Sequence, residues 1–310
     1  MASDALAASG TSFAPEHVTD TTGFWFTEDV TPDLRMQMRL KGIHFESRSE
    51  FQRVQVIETV WGKTLVLDGK RQSAKFDEFI YHECLVHPSM LLHGSAKRGF
   101  VGGGGVLATT RDVLRHKSVE RCVMVDLDEV VVDICKEKLP EWGAGCTEDP
   151  RLEVVCTDAY KWLKEHDETF DVIIMDIADP IEAGPGYVLY TKEFYEFALT
   201  KLNPGGVLVT QSGPGDVHNH NECFTTIHST LRSAFDSVCG YTASVPSIGS
   251  NSAFNMAWQA KGREERLTSG ADIVSEADVR HRAAAETDRL IDANIEGGSN
   301  ALRFLDGVAH

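Results

Sequence analysis

Four aspartates stand where successive β-strands are predicted to end, and carboxylates in that position can bind a cation or accept hydrogen bonds and protons. Asp126 closes the run RCVMVD, Asp158 follows RLEVVCT, Asp176 closes DVIIMD, and Asp179 comes three residues later. In open α/β sheets, ligands bind at the carboxyl ends of the strands. One aspartate there is as consistent with a turn cap as with a ligand contact. Four at successive strand ends favour a binding site.

A glycine run, Gly102 to Gly105, lies between a predicted strand and a predicted helix, where small residues let a ligand approach the backbone. Val106 and Leu107 follow, so the full G-x-G-x-x-G pattern is absent. Asp126 comes about 20 residues further on, where an acid accepts hydrogen bonds from ribose hydroxyls, and Asp158 suits an adenine amino group. The glycines are not followed by a phosphate-binding lysine, and the acids repel pyrophosphate. An uncharged adenosine is therefore favoured over a dinucleotide.

Strands and helices alternate from Arg98 onward, which predicts a doubly wound, Rossmann-like α/β sheet of the methyltransferase type. The last strands, near VCGYTASV and AFNMAWQA, close this sheet as an antiparallel hairpin. Pro180 and the glycines at 184 and 186 prevent a helix from starting directly after Asp176. Both Asp176 and Asp179 are therefore expected in a loop above the carboxyl edge of the sheet.

The chain is predicted to have four parts. Residues 1–22 are small, polar and aperiodic, which is typical of a disordered N-terminus, and residues 23–75 form a small antiparallel β domain. Residues 76–262 form the catalytic domain, which opens with a helix that Pro88 kinks or splits. Residues 263–310 form a charged, alanine-rich helical extension whose last ten residues are as consistent with a partly ordered tail.

Composition indicates which binding partners are disfavoured and in which cellular compartment the protein is expected. The 310 residues carry 47 acids against 30 lysines and arginines, a formal charge of -17, which disfavours nucleic acid or a membrane as partner. That charge either attracts a cationic ligand or is a solvated acidic surface. Seven cysteines without a C-x-x-C pair indicate reduced thiols in a cytoplasmic protein rather than disulfides or zinc. The HNH of residues 218–220 is interpreted as loop, so no metal is expected. Apolar runs are too short to span a membrane, and no secretory signal is predicted.

Several ordered blocks resemble the polyamine aminopropyltransferases, the spermidine and spermine synthase family. They are the glycine loop and the runs GKRQSAKFDEFIYHE, VMVDLD, CTDAY and DIADP. IADPIEAGPGYVLYTKEFY and VTQSGPGDVHNH are most similar to the thermospermine synthase branch. The resemblance runs from about Trp25 to Gln259 and continues more weakly through DRLIDANIE and LRFLDG. It implies transfer of an aminopropyl group from decarboxylated S-adenosylmethionine to a polyamine, which releases methylthioadenosine and requires no cofactor.

The resemblance also implies which residues hold the donor. Gln52 and His82 are expected to bind its adenosyl and sulfonium half, Asp126 its ribose, and Asp158 with Ala159 its adenine. The remaining donor contacts are expected from the backbone of the glycine loop, at Gly103, Gly104 and Gly105.

The chemistry is expected to centre on Asp176 and Tyr81, on either side of the attacking nitrogen. An amine attacks the carbon beside a sulfonium only as the free base, and its own pKa is about 10, so a carboxylate must accept its proton. Asp176 is the candidate general base, and Tyr81 is expected to orient the nitrogen. Asp179 and Gln72 are expected to fix the charged end of the acceptor.

Two departures from the family pattern affect these expectations. The glycine loop of the family continues with an acid and a glycine, where this chain has Val106 and Leu107. Losing that acid weakens the hold on the aminopropyl ammonium by about 1 to 3 kcal/mol. Spermidine synthases place a tyrosine and a glutamate where this chain has Ile248 and Gly213 with Pro214. This less polar wall fits spermidine better than putrescine.

The sequence leaves other functions open. A spermidine synthase acting on putrescine, a nucleoside-binding homologue that has lost turnover, and a methyltransferase on the same fold remain alternatives. The acid-rich site and the atypical glycine loop make the methyltransferase the weakest of these. Which nitrogen of spermidine is attacked, giving spermine or thermospermine, also stays open. By analogy with the family, a homodimer or homotetramer is expected.

Overall fold

The structure is a computed structural model that describes residues 23–31, 34–180, 186–259, 289 and 291–303. The predicted disordered N-terminus, residues 1–22, lies outside the described residues, as does most of the predicted helical extension, residues 263–310.

The N-terminal region contains two antiparallel sheets. β1 (Trp25–Thr31) pairs with β2 (Leu34–Arg39), and a four-stranded sheet follows in chain order: β3 (Gly42–Arg48), β4 (Arg53–Thr59), β5 (Gly62–Leu67) and β6 (Lys70–Ala74). The four-stranded sheet was predicted from its alternating runs. The β1–β2 pair was missed because few of its side chains are buried, which leaves little hydrophobic alternation in the sequence.

Helix α1 (Glu78–His93) runs unbroken through Pro88, so the predicted split does not occur. A proline removes the N–H that would bond to the carbonyl four residues earlier, here that of Cys84. The Tyr241 hydroxyl donates to this carbonyl at 2.9 Å. The orphaned acceptor is thereby satisfied from outside the helix.

The central sheet has seven strands in the order β12-β13-β11-β10-β7-β8-β9. Five are parallel, and β12 and β13 add the predicted antiparallel hairpin at one edge. The strands are β7 (Arg98–Gly103), β8 (Arg121–Asp126), β9 (Leu152–Cys156), β10 (Phe170–Asp176), β11 (Leu202–Pro214), β12 (Ser237–Val245) and β13 (Ser250–Trp258). The chain winds outward from β7 and then returns to its other side at β10, which makes the β7–β10 border the topological switch point.

Helices cover both faces of this sheet, as the doubly wound fold requires. The connecting helices are α2 (Ala108–Leu114), α3 (Glu129–Lys138), α4 (Pro140–Gly143), α5 (Ala159–Glu165), α6 (Lys192–Thr200) and α7 (Phe224–Arg232), with short 3₁₀ turns at Cys146–Glu148, Tyr187–Tyr190 and Gly298–Ala301. Successive side chains along a strand lie on opposite faces of the sheet and belong to different hydrophobic cores. Val101 and Ile174 pack with α1 and α2, whereas Phe100 and Ile173 pack with α5 and α6. The Rossmann-like fold is confirmed.

A segment near the C-terminus returns to the catalytic domain. His116 and Ile295 form an isolated antiparallel β-bridge, and Ile291, Ile295 and Leu302 form a small buried cluster with Leu91 of α1. All seven cysteines are free thiols, as predicted.

Candidate active site

Asp176 ends β10 at the switch point, and both of its carboxylate oxygens are engaged. The Tyr81 hydroxyl donates to Oδ1 at 2.8 Å, and Thr109 Oγ1 donates to Oδ2 at 2.5 Å. Burial raises the pKa of Tyr81 well above its ordinary value, and the neighbouring carboxylate of Asp176 raises it further. The phenol therefore stays protonated and acts as a donor.

The glycine loop lies directly against Asp176. In the sheet register Asp176 pairs with Gly103, and the Gly104 amide donates to the Asp176 carbonyl at 3.0 Å. Gly103 has a φ of 80°, and a Cβ there would sit 2.2 Å from the Asp176 carbonyl oxygen. Only glycine fits at this position, because any side chain would collide with the Asp176 backbone. The absence of a side chain at Gly103 therefore allows the loop to lie directly against the strand that carries the candidate base.

Leu107 replaces the glycine of the family pattern and still takes the left-handed backbone conformation, with a φ of 70°. Its side chain is 2% exposed and reaches the core shared by α1 and α2. Val106 packs against a second core cluster that contains Val131. The two side chains that interrupt the glycine pattern thus both have apolar partners.

Asp126 lies beside the same loop. It accepts hydrogen bonds from the backbone amides of Gly105 at 2.8 Å and Asp128 at 2.9 Å. Burial of the carboxyl group raises its pKa to about 6, although the two amide bonds oppose that rise. A Cβ on Gly105 would approach Asp126 Oδ2 to 2.8 Å, so a larger residue here would displace the carboxylate.

Gln52, a predicted donor-binding residue, reaches the catalytic domain through Asp128. Gln52 Nε2 and Ser49 Oγ donate to Asp128 Oδ2 at 2.9 and 2.6 Å. The other oxygen of Asp128 caps α3 through the Val130 amide. This contact places the β3–β4 turn of the N-terminal region beside the end of β8.

The predicted adenine contact, Asp158, is exposed and also acts as a helix cap. Its Oδ1 accepts from the Lys161 amide at 2.7 Å at the start of α5, and Ala159 next to it is buried. The turn-cap alternative is therefore realised for this residue, and its exposure leaves room for a ligand.

His82 is buried one residue after Tyr81 and belongs to an ionic network. Its Nδ1 lies 2.9 Å from Glu78 Oε2, and Glu78 also forms an ion pair with Arg111 at 3.0 Å. Burial opposes ionisation of Glu78, but the two cationic partners outweigh it and lower its pKa to about 2. Burial likewise opposes protonation of His82, and the Glu78 carboxylate reverses that effect and raises the pKa of His82.

Asp179 is held by a residue that the sequence did not single out. Gln211 Nε2 donates to Asp179 Oδ1 at 3.0 Å and lies 2.8 Å from the Tyr190 hydroxyl. The Asp179 side chain is exposed to solvent. Desolvation by the surrounding protein nevertheless raises the pKa of its carboxyl group, and the hydrogen bond from Gln211 opposes this rise. Gln72 lies apart from this network and donates to the Lys70 carbonyl at 3.3 Å.

Thr109 and Gln211 are two residues of the candidate site that sequence reasoning missed. A usable signal existed for each: Thr109 lies in the first turn after the glycine loop, and Gln211 follows the buried run VLVT of β11. Within the described residues, the His, Cys, Asp and Glu side chains form no group of three that could hold a metal. No helix of the described part is long and apolar enough to cross a membrane.

Comparison with known proteins identifies the class of protein to which this Rossmann-like sheet and its candidate active site belong. Residues 78–268 match the spermine/spermidine synthase domain, and residues 24–75 match the spermidine synthase tetramerisation domain. The chain belongs to the spermine/spermidine synthase family, whose members are aminopropyltransferases acting in polyamine biosynthesis. The second match supports assembly into an oligomer.

Individual relatives agree with this assignment. The chain is 46% identical to a polyamine aminopropyltransferase of Aeropyrum pernix over 235 residues, covering 75% of this chain and 74% of the relative. It is 43% identical to the thermospermine synthase ACAULIS5 of Arabidopsis thaliana over 236 residues, 75% of this chain and 69% of that protein.

Solved structures give the same fold. A spermidine synthase in complex with the transition-state analogue AdoDATO superposes with a TM-score of 0.72 at 26% identity, over 82% of this chain and 89% of the other. The spermidine synthase of Thermotoga maritima superposes with a TM-score of 0.71 at 25% identity, over 83% and 89% of the two chains.

Proposed function

We propose that this protein transfers an aminopropyl group from decarboxylated S-adenosylmethionine to spermidine, giving thermospermine or spermine and methylthioadenosine. The observation that carries the proposal is the carboxylate of Asp176, held on both oxygens at the switch point and in contact with the glycine loop through its backbone. A fixed acceptor of protons beside a donor-binding loop is what the reaction requires.

In the proposed reaction the acceptor amine enters as an ammonium and gives its proton to Asp176. The freed lone pair attacks the methylene carbon next to the sulfonium, a C–N bond forms, and the C–S bond breaks. Its electron pair stays on sulfur and converts the sulfonium into the neutral thioether of methylthioadenosine. The donor itself carries the activated carbon, so no cofactor is needed.

Tyr81 and Thr109 fix the orientation of the base in this mechanism. Each donates to a different oxygen of Asp176, which prevents the carboxylate from rotating and aims its remaining lone pairs. Asp179, held by Gln211, would receive the distal ammonium of the acceptor. The donor would lie against the edge that the glycine loop and Asp126 form together, with Gln52 and His82 on the N-terminal side.

Spermidine is proposed as acceptor because of two observations. Ile248, in place of the tyrosine of spermidine synthases, would give the acceptor side an apolar wall, and the chain is 43% identical to a thermospermine synthase. The test is incubation with decarboxylated S-adenosylmethionine and either spermidine or putrescine, with chromatographic separation of spermine from thermospermine. Turnover of putrescine without turnover of spermidine would replace this proposal with a spermidine synthase.

The second candidate is a nucleoside-binding homologue with impaired turnover, and the glycine loop favours it. Val106 supplies no carboxylate for the aminopropyl ammonium, and the following turn carries a leucine in a conformation suited to glycine. Calorimetry would show methylthioadenosine binding in this case, with no polyamine product. Appearance of transfer in Val106→Glu alone would locate the defect in the missing acid.

For the assembled state we propose a homodimer or homotetramer built through residues 24–75 and acting in the cytoplasm. The N-terminal region exposes large apolar side chains, among them Phe24, Trp25, Ile43 and Val60. Scattered exposed apolar residues are common, but so many in one small region are typical of an interface. Sedimentation velocity tests this assembly, and a monomer at micromolar concentration would contradict it.

A further inference from the structure

The turn that carries Ile248 is held by a buried arginine from the N-terminal region. Arg71, on β6, donates from its two terminal nitrogens to the carbonyl oxygens of Ser247 and Ile248, the latter at 3.0 Å. The guanidinium is fully enclosed, since Arg71 is 5% exposed. A charged group in that position is directed at the backbone of the turn rather than at solvent.

Glu28 of β1 balances the charge of Arg71. The Arg71 Nε donates to Glu28 Oε2 at 2.5 Å, and Glu28 is 9% exposed. A buried arginine without a carboxylate partner would be strongly unfavourable. The planar guanidinium is therefore fixed in orientation by Glu28 on one side and presents its other nitrogens to the turn.

Two further contacts fix the same turn. Asp77, the residue before α1, accepts from the Ser247 amide at 2.7 Å. Gly249 has a φ of 81°, and a Cβ there would come within 2.6 Å of Met36 Sδ on β2. The wall containing Ile248 is thus positioned relative to both α1, which carries Tyr81, and the β1–β2 pair.

We propose that Arg71 is a positioning residue for the polyamine acceptor: together with Glu28 it sets the distance between the Ile248 wall and the Tyr81–Asp176 pair. This inference rests on the proposed function. Arg71 contacts the backbone of the turn, its charge partner and Met36 Sδ, the last at 3.3 Å. None of these contacts involves the reacting groups, so Arg71 acts through Ile248. Two residues expected to hold the donor have other partners: Gln52 donates to Asp128, and Asp126 accepts from the glycine loop.

The test measures steady-state kinetics of Arg71→Lys and of the double variant Glu28→Met with Arg71→Leu. Lysine keeps the positive charge but cannot donate to both carbonyl oxygens at once. The double variant removes both charges, so no unpaired charge is left buried. We expect the KM for spermidine to rise about tenfold, the KM for the donor to stay within about twofold, and the preference for spermidine over putrescine to fall.

Arg53→Leu is the matched control, because Arg53 forms an exposed ion pair with Glu46 on the same sheet, at 2.7 Å, away from the turn. It should leave both KM values and the acceptor preference unchanged. Wild-type acceptor KM and preference in both Arg71 variants, or an equal rise in donor KM, would overturn the inference. Should the double variant fail to fold, Arg71→Lys alone decides. A wild-type protein that transfers nothing to any polyamine instead overturns the proposed function, and this inference with it.

Discussion

Thr109 Oγ1 and Asp176 Oδ2 lie 2.5 Å apart, on the side of the carboxylate opposite Tyr81. Thr109 is fully buried in the first turn of α2, so its hydroxyl has little freedom to turn elsewhere. The helix that follows the glycine loop therefore helps to hold the candidate base on the neighbouring strand.

Asp176→Asn should reduce aminopropyl transfer by about 10²- to 10⁴-fold, because an amide cannot accept the proton of the attacking amine. Methylthioadenosine binding should change little, since the substitution keeps the shape of the side chain. Single-turnover kinetics and calorimetry measure the two quantities. Equal losses of binding and transfer would mean that Asp176 holds the donor rather than acting as the base.

Thr109→Val should lower kcat by about 10- to 100-fold, which corresponds to losing a hydrogen bond to a charged group worth about 1.5 to 3 kcal/mol. Thr109→Ser retains the hydroxyl and is the matched control, expected to keep most of the activity. A valine variant that is as active as the wild type would show that the hydroxyl is not needed at this position.

Leu107→Gly should destabilise the fold despite relieving a left-handed leucine. Removing this buried side chain costs about 2 to 5 kcal/mol, whereas the strain relieved is about 1 to 2 kcal/mol. Leu107→Ala loses most of the side chain and keeps the strain, so it should be less stable than the glycine variant by about 1 kcal/mol. Denaturant melts give the order, and an alanine variant more stable than the glycine variant would contradict it.

Methylthioadenosine binding should weaken as the pH falls through about 6. The raised pKa of Asp126 means that its carboxylate protonates near that pH, and the protonated form accepts hydrogen bonds from ribose less well. The dissociation constant should rise by up to about tenfold per pH unit. Asp126→Asn should bind weakly with a flatter profile, and a wild-type profile that is flat between pH 5 and 7 would separate Asp126 from the ribose.

Folding stability should depend on pH through a buried histidine pair. His87 Nδ1 lies 3.0 Å from His116 Nε2, and burial lowers the pKa of both to about 3. Both pKa values lie below the unfolded value near 6.5, so the contribution is complete above about pH 6.5 and is lost as the pH falls towards 3. Each histidine contributes up to about 1.4 kcal/mol per pH unit in that window.

Thermal melts of His87→Gln between pH 4 and 7 test the effect of this pair. The variant should lose stability less steeply on acidification than the wild type. His218→Asn is the control, because His218 is exposed, and its slope should match that of the wild type. Identical slopes for all three proteins would show that the pair does not titrate on unfolding.

The strand ends were predictable from sequence because buried parallel strands are short apolar runs that stop at an acid. Asp126 and Asp176 both end their strands as expected. The family followed from ordered motifs around them. By contrast, the β1–β2 pair has a weak pattern, and the continuity of α1 through Pro88 depends on Tyr241, a residue more than 150 positions away in the sequence.

Contacts in the candidate site were also harder to predict, because they join residues that lie far apart in the sequence. Arg71 reads as a solvated charge on a short strand, and its burial depends on Glu28 and on a turn far along the chain. The interrupted glycine pattern likewise does not predict where the Leu107 side chain lies, because the pattern says nothing about the apolar space that receives it. The roles of all the predicted site residues in binding and catalysis stay predictions.

The antiparallel hairpin β12–β13 has an evolutionary consequence. The proposed acceptor wall is its turn, at the margin of the sheet, whereas the glycine loop and the candidate base occupy adjoining parallel strands at the centre. Substitutions in the hairpin turn can therefore diversify the choice of polyamine without disturbing the nucleoside half of the reaction. A single scaffold of this kind can give rise to enzymes with different products by altering a few residues at one margin.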